Sequence, residues 1–151
     1  MKNTLLFGIG NSGRSDDGLG WAFLDRLQQE SGFPGLFEYR YQLQVEDAAM
    51  VSLADRVIFI DSFRGSLPGG FLWTPCIPSR NFEFTSHVLD PAAVMFLCQD
   101  LYSKSPPAEL LLIQGDQWDL RTSMSAAAKR RLDAAMESFS QRLAQAPGSV
   151  H

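Results

Sequence analysis

Residues 5–20, Leu5-Leu6-Phe7-Gly8-Ile9-Gly10-Asn11-Ser12-Gly13-Arg14-Ser15-Asp16-Asp17-Gly18-Leu19-Gly20, limit the fold more than any other part of the chain. An apolar run too short for a helix breaks into a glycine-punctuated loop, and two adjacent carboxylates then stand where an amphipathic pattern begins. This reads as a buried strand, a turn and the first turn of a helix. Ser15 is placed to be the N-cap, which puts Asp16 and Asp17 in the first helical turn, where the helix dipole favours negative charge by roughly 0.3–1 kcal/mol each. The dipole accounts for one acid better than for two. With two, one carboxylate can face solvent while the other looks back over the carboxyl end of the strand, where open α/β sheets do their chemistry.

The remainder of the chain alternates in the same manner. Gly20, Phe23, Leu24 and Leu27 continue a helix over residues 16–30, stopped by Ser31-Gly32-Phe33-Pro34-Gly35. Residues 37–43 read as a second strand and 46–53 as a short helix. Arg56-Val57-Ile58-Phe59-Ile60-Asp61 is an uninterrupted apolar run ending in a carboxylate, the pattern of a central parallel strand covered on both faces. After a turn over 65–70, Phe71-Leu72-Trp73 forms a short strand predicted to run antiparallel. Asp90 and Pro91 make an N-cap and first residue for a helix whose predicted buried stripe is Val94, Leu97, Cys98 and Leu101. Residues 109–115 are the last strand. A closing helix starts near Ser123 or Ser125 with Leu132, Ala135, Met136, Phe139 and Leu143 on its inner face. The order β-α-β-α-β-β-α-β-α predicts a three-layer α/β/α sandwich with a mostly parallel five-stranded sheet. It forms one domain over 1–146, followed by a frayed tail at 147–151.

Composition narrows the function classes. A chain of 151 residues at 45% hydrophobic content can bury about 70% of its unfolded surface in a single core. Cys76 and Cys98 lack metal-ligand spacing, so two reduced thiols are expected. A formal net charge of −4 argues against a nucleic-acid surface, and Lys129-Arg130-Arg131 reads as the solvated face of a helix. The opening Met1-Lys2-Asn3 runs straight into the first strand, and no apolar run approaches ~18 residues, so a cytoplasmic protein with no membrane segment is expected.

Three polar positions fall on the edge where the loops of such a sheet converge: Asp17, Asp61 and His87. Two carboxylates and an imidazole can form a facial metal site with open positions, and oxygen and nitrogen donors without a thiolate suit nickel, zinc or iron. Each also has a plain structural explanation, as a dipole partner, a turn cap and a loop residue respectively, and position alone does not decide between them. Other chemistries fit less well. Gly10-Asn11-Ser12-Gly13 lacks the G-x-S-x-G spacing of a nucleophile elbow, and Cys76 lies between prolines with no helix terminus to activate it. Gly8, Gly10 and Gly13 satisfy the dinucleotide fingerprint, but Asp16 and Asp17 would repel a pyrophosphate at that helix terminus, and Gln42 and Gln44 replace the ribose-binding acid. A phosphoacceptor pocket around Asp61 would need a lysine after the last strand, where Gln114-Gly115-Asp116 stands.

Gly8-Ile9-Gly10-Asn11, Asp16-Asp17-Gly18-Leu19-Gly20, Val57-Ile58-Phe59-Ile60-Asp61 and Ser86-His87, with Leu111-Leu112-Ile113-Gln114-Gly115 and Met124-Ser125 further on, resemble the pattern of the hydrogenase maturation proteases. Those endopeptidases remove a carboxy-terminal peptide from the large-subunit precursor of nickel–iron hydrogenase. The resemblance implies that Asp17, Asp61 and His87 are both the catalytic and the metal-binding residues. The nickel would arrive with the precursor, and no organic cofactor is implied. Gly10, Asn11 and Asp16 would border the bound peptide, Asp16 as a supporting or capping acid. A monomer is expected. The alternative function is a non-catalytic protein that docks on the same metal-loaded client during assembly. Trp21, Trp73 and Trp118 are candidates for its docking surface, although scattered aromatics are equally at home in a core.

Overall fold

The computed structural model describes residues 3–80 and 89–144, with the side chains of 143 and 144 excepted. The five strands are β1 (Thr4–Ile9), β2 (Leu36–Arg40), β3 (Arg56–Arg64), β4 (Phe71–Pro75) and β5 (Ala108–Gly115). The helices are α1 (Leu19–Arg26), α2 (Asp47–Ser52), α3 (Pro91–Tyr102) and α4 (Ala126–Ala144). The strands form one sheet in the order β2-β1-β3-β5-β4, parallel throughout except for β4, which runs antiparallel to β5. This is the α/β/α arrangement expected from the sequence. The predicted tail at 147–151 lies outside the described residues.

Strand alternation builds two cores from one sheet. Leu6, Ile58, Ile60, Leu111 and Ile113 point to the side covered by Phe23 and Leu24 of α1 and by Leu132, Ala135 and Phe139 of α4. Leu5, Phe7, Val57 and Phe59 point to the other, covered by Ala48 and Val51 of α2 and by Val94, Met95 and Cys98 of α3. Phe7 and Phe59 occupy the same rung of the β1–β3 ladder and stack with ring centroids 5.3 Å apart. Gly20 lets α1 seat directly on the sheet, since a Cβ there would lie 2.5 Å from the Ile60 carbonyl oxygen and 2.8 Å from that of Ile9.

Several elements depart from the expected pattern. The predicted helix over 16–30 is a composite: a 3₁₀ turn at Ser15–Gly18, α1 itself, and a π-helical turn at Leu27–Ser31 closed by Gly32 in the left-handed region. Ser15 is not an N-cap. Its φ is +53° and its hydroxyl donates to the Ser123 carbonyl instead, so the start of α1 is held by tertiary contacts. Strand β2 stops at Arg40 rather than 43. Strand β3 runs on to Arg64, because β5 continues to pair with it after β1 has ended. In α3 the buried face is Ala93, Val94, Met95 and Cys98, with Leu97 partly buried and Leu101 exposed, a rotation of the predicted stripe. Asp90 caps α3 as expected, accepting from the Ala93 N–H at 2.7 Å. In α4, Leu132, Ala135 and Phe139 are buried and Met136 packs beside them.

Candidate active site

The chain passes from β1 through α1 on one face to β2, then through α2 on the opposite face to β3 on the other side of β1. Connections therefore diverge above the junction of β1 and β3, the switch point at which open α/β sheets bind their ligands. Ile9, the last residue of β1, pairs with Asp61. Beyond that rung the backbone leaves the sheet at Gly10, whose φ is +142° and whose N–H donates to the Arg40 carbonyl at 2.9 Å. Only glycine fits there: a Cβ would stand 2.0 Å from the Asp17 carbonyl oxygen. The turn thus folds Asp17 back over the sheet, and the Asn11 N–H seals it by donating to that carbonyl at 3.1 Å.

A cleft of about 260 Å³ opens at this point, with Asp17 and Asp61 at its base, Ile9 and Gly10 beside them, and Tyr41, Gln42, Leu43, Leu89, Asp90 and Pro91 as walls. An isolated bridge between Leu43 and Leu89 joins the two walls. Asp61 is the more constrained acid. Burial raises its carboxyl, the Ser62 N–H opposes this through a 2.8 Å hydrogen bond, and the neighbouring Asp17 charge raises it further, to about 7. Burial also raises Asp17, against the Ser62 hydroxyl, which donates to its Oδ1 at 3.2 Å, and against the Asn11 N–H and the positive charges of Arg64 and Arg14. Two neighbouring carboxyls, both raised and one of them titrating close to neutrality, form a site that gains from a cation.

The other expected site residues divide. Asn11 is partly buried, and its Oδ1 accepts from the Gly13 N–H at 2.8 Å, which shapes the loop. Asp16, expected to border a bound peptide as a supporting or capping acid, is placed in the interior. It is fully buried, and its carboxylate accepts from the N–H groups of Asp116, Gln117 and Ser125 and from the Ser125 hydroxyl, at 2.7–3.0 Å. Full burial leaves its carboxylate no solvent-facing surface. Burial pushes its carboxyl up, and these donors outweigh it and hold it below the ordinary value. Asp16 is therefore a capping acid, but for α4, whose N-cap Ser125 in turn accepts from the Ala128 N–H. His87 lies outside the described residues. Among the described residues no three His, Cys, Asp or Glu side chains stand together as a metal site.

Residues that pattern reading missed hold the surroundings in place. The Arg40 guanidinium grips buried Asp47 at 3.0 and 3.1 Å, and the other oxygen of Asp47 accepts from the Gln44 N–H, so the Gln42–Leu43 wall is pinned by an ion pair. Ser62 was legible only as the residue after Asp61. The three tryptophans are all partly buried and engaged: Trp21 with the Arg40 carbonyl and Tyr41, Trp73 with Ser138 and Phe139, Trp118 beneath Arg64.

Fold and carboxylate pair together define an α/β/α sandwich with an acidic cleft at the switch point of its sheet. Solved structures on which the chain superposes include several hydrogenase maturation proteases. The chain superposes on the hydrogenase maturating endopeptidase HybD of Escherichia coli with a TM-score of 0.75 and 16% identity, over 95% of this chain and 93% of that one. The NiFe hydrogenase maturation protease HycI of Thermococcus kodakarensis gives 0.69 and 21%, over 93% and 92%. A hydrogenase 2 maturation peptidase from a Thaumarchaeota archaeon gives 0.65 and 17%, over 94% and 98%. No protein-family model matches the sequence, and no curated protein does. At such identities the likeness is one of fold. No helix among the described residues is long and apolar enough to cross a membrane.

Proposed function

We propose that this protein is a hydrogenase maturation endopeptidase of the cytoplasm, acting as a monomer, that removes the carboxy-terminal extension from the nickel-loaded large-subunit precursor of a nickel–iron hydrogenase. The observation that carries the reading is the Asp17–Asp61 pair, both raised by burial and Asp61 further by the Asp17 charge, at the switch point of a fold shared with proteases of that class.

In this reading the nickel is part of the substrate. It meets Asp17 and Asp61, with His87 as the third donor, and its Lewis acidity polarises the scissile carbonyl or lowers the pKa of an attacking water toward about 7. The protein supplies position. Gly10 and Asn11 shape the turn that holds Asp17 over the sheet, Ser62 orients the Asp17 carboxylate, and the Leu43–Leu89 bridge joins the walls against which the peptide lies. Near pH 7 a proton leaves Asp61 as the cation arrives, since a carboxyl must ionise to ligate.

The deciding experiment is intact mass spectrometry of nickel-loaded precursor from the same organism, before and after incubation, with metal-free precursor as control. Loss of a discrete carboxy-terminal peptide from the nickel-loaded form alone is the expected result. A stable complex without mass loss would support the docking alternative and overturn the catalytic reading; neither cleavage nor complex would overturn both.

A further inference from the structure

Arg26, Arg40, Arg56, Arg121, Arg131 and Arg142 are all held in ion pairs. Arg14 and Arg64 are not, although both are exposed and both stand within electrostatic reach of Asp17. Neither guanidinium donates a hydrogen bond to any described residue, and the short bond to the Asp17 carboxylate comes from Ser62 instead. Two forks of planar N–H donors are thus unspent beside an acidic cleft.

The structure also explains why they stand there. Strand alternation puts Arg64 on the same side of β3 as Ser62, the side from which Asp17 is approached. Its guanidinium lies 4.2 Å above the Trp118 ring, a cation–π contact that restrains the side chain without consuming its donors. Trp118 belongs to the loop whose Asp116 and Gln117 N–H groups are fastened to Asp16. Arg14 is held to the same loop by its backbone bridge with Arg121, while the Arg121 charge is satisfied by Asp119 at 2.7 Å. Among the described residues the far wall, with Tyr41, Leu43, Leu89, Asp90 and Pro91, carries no cation.

We propose that Arg14 and Arg64 form a carboxylate-binding rim that reads an acidic residue near the scissile bond of the client peptide and so fixes the direction in which the peptide crosses the cleft. A guanidinium fork matches a carboxylate geometrically. A peptide laid in reverse would bring its acid toward Asp17 and Asp61 or toward Asp90 in the far wall, so repulsion and attraction select the same orientation. The inference deepens the protease reading and rests on it, with Arg14 and Arg64 as specificity residues.

The test compares wild type with the double variant Arg14→Gln/Arg64→Gln in processing of nickel-loaded precursor. The double variant should raise KM about tenfold or more with a smaller effect on kcat, the loss expected of charge-assisted hydrogen bonds. Wild-type KM should rise between about 50 and about 300 mM salt, and the variant's KM should hardly respond. Replacing the precursor's acids near the cleavage point by amides should reproduce the variant's KM in wild type. Unchanged KM and unchanged salt response in the variant, with wild type cleaving, would overturn the rim. If wild type does not cleave, the protease reading fails and a second measurement decides the rim on its own. In NMR titration, a capped peptide with two adjacent glutamates should shift the Arg14 and Arg64 Nε–H and Trp118 indole resonances, and its glutamine counterpart should not. Equal shifts from both peptides, or none, would overturn it.

Discussion

Asp16 and Asp17 are neighbours in the chain and opposites in the molecule. Asp16 is sealed within a ring of four donors that lowers its carboxyl and ties the 116–125 loop to the turn after β1. Asp17 accepts one side-chain hydroxyl at the base of a cleft that it shares with Asp61, and there both carboxyls are raised. A carboxylate whose acceptors are all satisfied serves the fold. One that is desolvated and accepts a single side-chain donor keeps acceptors open toward the cleft. The contrast is made by the turn that carries both residues: with Ser15 at positive φ, successive side chains diverge, one into the protein and one over the sheet.

The sharpest way to break this comparison is to neutralise each acid in turn. Asp17→Asn, and likewise His87→Ala, should lower precursor processing by about a thousandfold or more, because in the proposed reading each removes a donor to the nickel; in Asp17→Asn the melting temperature should stay within a few degrees, since the Asp17 carboxylate accepts only one side-chain hydroxyl. Retained processing in both variants would refute the ligand assignment. Asp16→Ala should do the reverse, unfolding at about 3–5 kcal/mol less free energy in urea at pH 7, since three buried N–H groups lose their acceptor. That deficit should shrink as pH falls below about 4. A lowered carboxyl contributes its stability above the unfolded pKa and loses it as the native group protonates.

Asp61 should give the opposite pH dependence. Its native carboxyl, near 7 against an ordinary 3.8, favours the folded state only when neutral, so its ionisation costs stability increasingly from pH 4 to 7 and by a constant amount above. Asp61→Asn should therefore stabilise the metal-free protein at pH 8 by about 2–4 kcal/mol, with no gain below pH 4, while abolishing processing. A wild-type stability curve flat from pH 5 to 8 would refute this environment for Asp61. The smallest effect is expected of Ser62→Ala. Removing the hydroxyl that favours ionised Asp17 should move the acid limb of the kcat/KM profile upward by less than about one pH unit, with about 1 kcal/mol lost in stability.

Much of this was legible from residue order. The uninterrupted run Val57–Ile60 and the alternation of inward faces specified a sheet covered on both sides, because burying such runs offers few alternatives. Asp90-Pro91 announced the start of α3, since capping chemistry is local. Asp17 and Asp61 could be placed on one edge of the sheet because strand and loop order bring them there. The Ser15 cap, the rotated face of α3, the extension of β3 to Arg64 and the burial of Asp16 were not legible. Each depends on a partner many residues away: Ser123, the sheet beneath α3, β5, and the loop from 116 to 125.

The sequence by itself determined the layering, the parallel sheet and the presence of two acids after the first strand, because hydrophobic period, glycine positions and caps act over a few residues. Only the tertiary structure decided which acid serves the fold and which serves the cleft, and which arginines keep their donors unspent. Burial and hydrogen-bond supply are properties of where distant segments meet, and two identical side chains in consecutive positions carry no local signal that distinguishes them.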